Sequence, residues 1–263
     1  MLFEQVARSH VGSSRKVNED ALLARQDLGL WAVADGVGGH AAGDVASALV
    51  VDRLSQAVAG PEVASRKKAA KTAIEEANTA IWRMACEQSR TIGSTIVTLT
   101  AGDDGYACLW AGDSRGYLLR DGKLRQLTRD HSLVQKLVDS GDLDAQEALH
   151  HPNANVITRA VGSTPSLELD SVEGDIRAGD HFVLASDGLT RLLSEDELAA
   201  AGQADDLESL ADSWVEVALA RGAPDNLSFV IVRVKRVRGI VSGILPSCHS
   251  GPPLSVTSTF FIS

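Results

Sequence analysis

Residues 31–36 read WAVADG and residues 181–188 read HFVLASDG, and this shared form indicates both the fold and a site. In each segment an apolar run typical of a buried strand ends in one aspartate followed by glycine. A carboxylate at the end of a buried strand is costly to ionise unless a cation meets it. Hard divalent ions such as Mg²⁺ and Mn²⁺ prefer oxygen ligands of this kind. The two segments therefore predict a metal site.

Three further segments place an aspartate in a comparable setting, and they read RKVNED (15–20), AGDSR (111–115) and APDN (223–226). Asp-Gly is also a common turn, and we interpret Asp104-Gly105 and Asp121-Gly122 as turns of β-hairpins. One such motif would decide nothing. The ordered set of five segments predicts several carboxylates that converge on one site.

Hydrophobic periodicity predicts a mixed chain of hairpins and paired helices. Short β-type runs, several of them flanking turn sequences, predict strands at 3–10, 21–25, 30–34, 95–100, 106–111, 116–120, 123–128, 155–161, 181–186 and 227–235. Spacings of three and four predict helices at 44–58, 65–88 with Ser65 as N-cap, 194–201 and 205–221, and two short helices within 132–150 broken at Gly141. This order favours an α+β fold, a central sandwich of two antiparallel β-sheets flanked by pairs of α-helices.

The composition of the 263-residue chain limits the partners that it can bind. Its hydrophobic fraction of 44% can fill a core, and its net charge of −10 argues against nucleic acid or an anionic membrane as the main partner. No signal peptide or membrane-spanning run is evident, and the three scattered cysteines form no disulfide framework. We therefore expect a cytoplasmic protein with one domain over 1–236 and an ill-ordered tail over 237–263.

From Val6 to Val234 the ordered motifs resemble the metal-dependent phosphatases of the PP2C family, specifically the bacterial stand-alone type. The acidic segments carry most of this resemblance. It also includes the segments at 34–40, 43–47, 93–95, 127–132 and 155–159.

The resemblance implies two metal ions, Mn²⁺ or Mg²⁺, held by carboxylates. Asp35 would bridge both ions, and the Gly36 carbonyl would bind one of them. Asp187 and Asp225 would hold the other ion. Asp20 would join the same cluster directly or through a coordinated water.

Further roles follow from the same resemblance. Glu19 would be an outer ligand, and Asp113 together with Asp187 would hold a third, weaker ion. Arg15 would grip the phosphate, because a guanidinium pairs with two phosphate oxygens at once. For the general acid, His40 is a candidate that protonates the leaving oxygen or braces its loop.

On this resemblance the chain is a monomeric serine/threonine protein phosphatase that acts on phosphorylated proteins and reverses a bacterial Ser/Thr kinase. Its water nucleophile would lie between two metal ions, and no covalent phosphoenzyme would form. The segment 132–155 would form a flap that selects substrates. The alternative is a PP2C-like regulatory module that binds phosphoproteins with weak catalysis.

Spacing disfavours two other interpretations. Cys108 and Arg115 enclose six residues, a spacing one residue too long for the phosphate loop of a cysteine phosphatase. Residues 36–41 match the dinucleotide pattern GxGxxG/A, but two helices follow instead of the strand and terminal acid that bind ribose.

Overall fold

The structure, a computed structural model, describes residues 1–38, 42–144, 147–148 and 151–235. Two sequence predictions, the general acid His40 and the tail over 237–263, lie outside these residues. No helix in the described part of the chain is both long and apolar enough to cross a membrane.

The described residues form two antiparallel sheets. The first has the strand order β1-β11-β10-β7-β8, and the second has the order β2-β3-β5-β6-β9, with β4 paired to the end of β3. Their bounds are β1 (Leu2–His10), β2 (Asp20–Arg25), β3 (Leu30–Gly38), β4 (Ile92–Ser94), β5 (Ile96–Gly102), β6 (Gly105–Ala111), β7 (Arg115–Arg120), β8 (Lys123–Gln126), β9 (Asp170–Gly174), β10 (His181–Ala185) and β11 (Leu227–Lys235).

Helices cover the outer faces of both sheets. Helices α1 and α2 pack on the second sheet, and α5 and α6 pack on the first. The helices are α1 (Gly43–Ser55), α2 (Val63–Gln88), α3 (Leu133–Ser140), α4 (Asp187–Thr190), α5 (Glu195–Ala199) and α6 (Leu207–Ala220), with short 3₁₀ turns at Gln26–Leu28 and Ala200–Gly202.

Strand alternation builds these layers, because successive side chains of a strand point to opposite faces of the sheet. In β3, Trp31 and Val33 face the space between the sheets, where they join the same apolar cluster as Leu184 of β10. Ala32 and Ala34 of β3 belong instead to the cluster beneath α1 and α2. The predicted α+β sandwich of two antiparallel sheets with helices outside is confirmed.

Both predicted hairpin turns are confirmed. Asp104 and Asp121 each lie in a two-residue turn between paired strands. At the second turn, Asp121 and Gly122 have φ angles of 52° and 73°, which is the left-handed conformation that a tight hairpin turn requires. Neither aspartate belongs to the acidic site described below.

Several predicted elements were wrong or missed. Helix α2 begins at Val63 after Glu62, and Ser65 does not cap it, because the Ser65 hydroxyl accepts the Gly60 N–H at 3.0 Å. The strand predicted at 155–161 is a loop that makes only isolated bridges at Ile157 and Val161. The short strand β4 and the edge strand β9 were missed, because neither carries a clear apolar alternation.

The segment 132–150 begins as predicted. Helix α3 is capped by Ser132, whose hydroxyl accepts the Gln135 N–H at 3.2 Å, and it ends at Gly141 with φ 78°. The second short helix predicted there falls largely outside the described residues.

Candidate metal centre at one end of the sandwich

Two aspartates face each other across neighbouring strands of the second sheet. Asp20 at the start of β2 is the direct antiparallel partner of Asp35 in β3. Like charges in directly opposed positions destabilise a sheet. One oxygen of this pair, Oδ1 of Asp20, is buried and has no hydrogen-bond partner in the structure. Its other oxygen, Oδ2, accepts the hydroxyl of Ser186 at 2.9 Å.

The first sheet brings two further aspartates to the same end of the sandwich. Asp187 follows β10 and begins α4, and Asp225 lies just before β11. Because β10 and β11 are antiparallel neighbours, the end of one strand lies beside the start of the other. The Nη2 atom of Arg15 donates to Oδ2 of Asp225 at 2.8 Å. That of Arg191 lies 2.8 Å from Oδ2 of Asp187.

Electrostatics shows that these carboxylates share one environment. Burial raises the pKa of Asp35 well above its usual range, and the negative charges of Asp20, Asp187, Asp113 and Asp225 raise it further. Each of these four groups is therefore close enough to oppose the ionisation of Asp35. Asp113, in the turn between β6 and β7, belongs to the cluster by the same criterion.

The pKa values of Asp20, Asp113 and Asp187 are shifted in the same direction. Burial raises the pKa of Asp20 to about 7, against hydrogen bonds from Ser228 and Ser186. Burial, followed by the charge of Asp187, raises the pKa of Asp113 to about 7. Burial also raises the pKa of Asp187, although the Arg191 guanidinium opposes that rise. At neutral pH the cluster thus resists carrying its full negative charge without cations.

Two glycines allow the backbone of β3 to pass close to the start of α1. The Gly36 N–H donates to the Glu19 carbonyl at 3.0 Å, and a Cβ on Gly36 would lie 2.1 Å from the Gly43 carbonyl oxygen. A Cβ on Gly43 would lie 2.9 Å from Oε1 of Glu19. Burial raises the pKa of Glu19, while Arg15 lowers it. Any side chain at Gly36 would therefore displace the acidic loop.

Polar side chains hold the backbone of this site in place. The Asp35 N–H donates to the Thr95 hydroxyl at 3.0 Å, and the Thr95 N–H donates to the Asp35 carbonyl at 2.8 Å. The Thr95 hydroxyl also lies 2.7 Å from that of Ser114, the neighbour of Asp113. Thr95 thus links two of the acidic segments.

Asn226 was missed by sequence reasoning, although it lies in one of the quoted segments. Its Nδ2 donates to the carbonyls of Val11 and Val17 at 2.8 and 3.0 Å, and its Oδ1 accepts the Glu19 N–H at 2.8 Å. Asn226 therefore ties the start of β11 to the segment that carries Arg15. The signal available in the sequence was an amide next to a predicted metal ligand.

His131 makes contacts that suit a loop-ordering role. Its Nδ1 accepts the Gly112 N–H at 3.2 Å, and its ring stacks on Trp110 with ring centroids 6.2 Å apart. Its Nε2 lies 3.2 Å from Oδ2 of Asp170, and burial lowers its pKa. These contacts fix the turn that carries Asp113.

The donor set at this end fits hard divalent cations. The acidic side chains offer oxygen ligands only, they oppose one another's ionisation, and Oδ1 of Asp20 is buried without a partner. Among the residues that the structure describes, no three acidic, histidine or cysteine side chains are grouped closely enough to hold a metal ion together. The inference that this site suits divalent cations therefore rests on the chemistry of its oxygen donors and on their charge.

The predicted site residues are brought to one end of the sandwich, and their roles stay predictions. The residues placed there are Arg15, Glu19, Asp20, Asp35, Gly36, Asp113, Asp187 and Asp225. His40 lies outside the described residues.

One protein family matches most of the chain. The family model described as Protein phosphatase 2C matches residues 7–228. The chain belongs to the protein phosphatase 2C family.

Curated relatives of this chain are bacterial serine/threonine phosphatases. PstP of Mycobacterium tuberculosis is 36% identical over 237 residues, which cover 89% of this chain and 45% of PstP. The chain therefore spans less than half the length of that relative. Stp of Listeria monocytogenes is 33% identical, over 86% of this chain and 93% of Stp.

The two-sheet sandwich of this chain is similar to the folds of solved bacterial structures. PppA, described as a key regulatory component of the T6SS in Pseudomonas aeruginosa, is 42% identical with a TM-score of 0.82, over 89% of this chain and 98% of PppA. The catalytic domain of PstP in complex with two manganese ions is 35% identical with a TM-score of 0.80, over 89% of this chain and 99% of that domain.

Proposed function

We propose that this chain is a metal-dependent serine/threonine protein phosphatase. One observation carries the proposal: carboxylates from both sheets meet at one end of the sandwich, where burial and the charges of Asp20, Asp187, Asp113 and Asp225 raise the pKa of Asp35. Folding a cluster of this kind is unfavourable unless cations bind it. The names of the bacterial relatives support phosphoserine and phosphothreonine as the substrates.

The proposed ligands are those that the family resemblance implied. Asp35 would bridge both ions, with the Gly36 carbonyl on one of them, and Asp187 and Asp225 would hold the other, with Asp20 beside them. Glu19 is an outer ligand, and a third ion would use Asp113 together with Asp187. The ions are Mn²⁺ or Mg²⁺, and the manganese-containing structure of PstP supports Mn²⁺. When bound, such ions lower the pKa of a coordinated water toward neutrality and neutralise charge on phosphate oxygens.

Arg15 is the proposed phosphate-binding residue of the chain. Its side chain is 50% exposed and lies beside Asp225, so its free N–H groups are accessible to a substrate at the acidic end. A guanidinium orients a phosphate by pairing with two of its oxygens. His40 is the proposed donor of a proton to the leaving serine or threonine oxygen.

The structure disfavours Cys108 as a nucleophile. Cys108 lies within β6 and is buried, and burial raises the pKa of its thiol to about 12. A thiol of that pKa forms almost no thiolate at neutral pH. Hydrolysis by an activated water, without a phosphoenzyme, is therefore the favoured route.

The decisive experiment measures hydrolysis of p-nitrophenyl phosphate and of a phosphothreonine peptide with Mn²⁺, and again after EDTA. Asp35→Ala should lower the rate at least about a hundredfold, because it removes a ligand of both ions. Asp121→Ala, an exposed turn residue far from the site, is the matched control and should keep wild-type activity. A folded, Mn²⁺-treated wild-type protein that hydrolyses neither substrate would instead support the phosphoprotein-binding module.

The cellular role is a further part of the proposal. A bacterial Ser/Thr kinase is the expected counterpart, and the reaction would take place in the cytoplasm with the chain as a monomer. PppA is described as a component of type VI secretion control, which makes that system a first place to seek substrates.

A further inference from the structure

A cavity of about 480 Å³ lies between the end of α1 and the first half of α2. Its α2 side is formed by residues 65, 68, 69, 72, 73 and 76, which recur at intervals of three and four and therefore share one face of the helix. Its α1 side is formed by Arg53 and by residues 56–58, which follow the helix. The cavity thus lies along the seam between the two helices.

Arg53 brings donors to this cavity that no residue accepts. Its Nε is buried and has no hydrogen-bond partner in the structure. Within the described part of the chain its guanidinium also forms no ion pair. A buried N–H without an acceptor costs free energy, because the solvation that it loses on folding is not replaced. An anion that enters the cavity would supply the missing acceptor.

Lys68 adds a second cation to the same cavity. Its ammonium group pairs with none of the residues that the structure describes, whereas the ammonium of the neighbouring Lys67 lies 2.5 Å from Oε1 of Glu173. Ser65 also lines the cavity, and its hydroxyl accepts the Gly60 N–H, so its own proton stays available for donation. Two cations and a hydroxyl donor around one cavity fit an oxyanion.

The cavity is well separated from the acidic end of the sandwich. Helix α1 begins there at Gly43, where a Cβ would lie 2.9 Å from Oε1 of Glu19. Arg53 follows ten residues later, about 15 Å along the helix axis. Glu76 is an acidic residue of the cavity lining, and it lies two helical turns beyond Lys68 on α2.

We propose that this cavity binds the phosphoryl group of a phosphate monoester, with Arg53 and Lys68 as its charged contacts. A guanidinium pairs with two phosphate oxygens through its planar fork, while an ammonium group acts as a point charge. Val58 lies at the cavity and is 92% exposed, so it offers an apolar contact to the organic part of the ligand. Binding here needs no metal ion and does not depend on the proposed phosphatase reaction.

The test is an NMR titration of the full chain, labelled with ¹⁵N and kept in EDTA, with inorganic phosphate. EDTA removes the cations through which the acidic end would bind phosphate. Phosphate should shift the Arg53 Nε–H resonance and the backbone amides of 65–72 until they saturate, and chloride at the same ionic strength should not. Equal shifts with both salts would mean an adventitious ion only and would overturn the proposal.

Four variants test which side chains hold the anion. Arg53→Gln should weaken phosphate binding about tenfold and Lys68→Gln, at an exposed position, about threefold, because each removes a charged contact. Glu76→Gln should tighten binding, since it removes a negative charge from the cavity. Lys71→Gln is the matched control, because Lys71 pairs with Glu75 at 3.8 Å and lies outside the cavity lining. Unchanged affinity in Arg53→Gln, or an equal loss in Lys71→Gln, would overturn the proposal.

A phosphothreonine peptide in EDTA distinguishes two sources of the phosphoryl group. Tighter binding of the peptide than of inorganic phosphate, lost in Val58→Ser, would support the site and identify a phosphorylated protein segment as its ligand. Equal affinities would support the site with free phosphate as its ligand. Equal binding of the unphosphorylated peptide would overturn the proposal. A wild-type protein that hydrolyses no phosphate ester with Mn²⁺ would overturn the proposed function instead, and would leave the phosphate titration in EDTA unaffected.

Discussion

The ionised form of Asp20 is unfavourable in the folded protein. Its partner across the strands is another carboxylate, Asp35, and its Oδ1 is buried without a hydrogen bond. A residue in such a position contributes little to a stable sheet, so its presence is best explained by the cations that it would bind. The free-energy cost of ionising Asp20 should be measurable in the metal-free protein.

The pKa of Asp20 predicts how the stability of the metal-free protein depends on pH. The folded-state pKa is about 7, well above the value near 4 of an unfolded aspartate, so the folded state holds its proton more tightly. The stabilising contribution is complete below about pH 4 and is lost as pH rises through about 7. In EDTA, the melting temperature should therefore fall between pH 5 and pH 8.

Asp20→Asn tests this directly, because the amide cannot ionise. It should flatten the pH dependence in EDTA and raise the melting temperature at pH 8 by several degrees, since each kcal/mol shifts it by about 2–4 °C. Asp121→Asn, in an exposed turn, should leave the profile unchanged. The profiles are measured by differential scanning calorimetry. Identical profiles for wild type and Asp20→Asn would show that ionisation of Asp20 does not destabilise the metal-free protein.

At the scale of elements, strands β3 and β10 were the easiest to predict. Both are buried on two faces, so their apolar runs stand out. Asp35 lies within β3, and Asp187 follows the end of β10 by two residues. The edge strand β9 and the loop at 155–161 were harder, because their conformation depends on tertiary contacts. Hydrogen bonds from distant elements, such as that of Ser94 with Val161, fix this region.

The sequence predicted the site residues whose type indicates their chemistry, namely carboxylates for cations and arginine for phosphate. The aspartates and Arg15 lie in recognisable motifs, whereas Asn226 and Arg191 bind partners elsewhere in the sequence. Asn226 contacts residues more than 200 positions away, and Arg191 donates to Asn155, 36 positions away. No local pattern shows such contacts.

Asn226→Ala should therefore disturb the site as well as the fold. It would leave the Glu19 N–H and the carbonyls of Val11 and Val17 without a partner, at a cost of about 2–4 kcal/mol in the free energy of unfolding. It would also loosen the segment that carries Arg15. We expect a raised KM for a phosphopeptide, in steady-state kinetics under conditions where the variant stays folded.

Asn78→Ala is the matched control for that prediction. Asn78 is likewise buried, and it binds the Thr164 carbonyl at 3.0 Å and the Gly162 N–H at 2.6 Å, away from the acidic cluster. It should lose comparable stability and keep a wild-type KM. Equal KM values for both variants would contradict a role of Asn226 in placing Arg15.

At the scale of the whole molecule, the acidic cluster depends on how the two sheets pack together. Asp20 and Asp35 belong to the second sheet, whereas Asp187 and Asp225 flank strands of the first. The apolar cluster between the sheets, which includes Leu184, therefore sets the distance between the two pairs of carboxylates. The outer cluster beneath α5 and α6, which includes Leu198, does not lie between them.

Substitutions that create a cavity in one or the other of these two clusters should consequently have different effects on Mn²⁺ binding. Leu184 and Leu198 are each only 1% exposed, so replacing either with alanine should cost about 2–5 kcal/mol of stability. Leu184→Ala lets the sheets shift relative to each other, and should weaken Mn²⁺ binding roughly tenfold in calorimetric titration, because a ligand set from two sheets loses its fit. Leu198→Ala should keep wild-type Mn²⁺ affinity. Equal losses of affinity in both variants would mean that general destabilisation, and not the spacing of the sheets, controls the metal site.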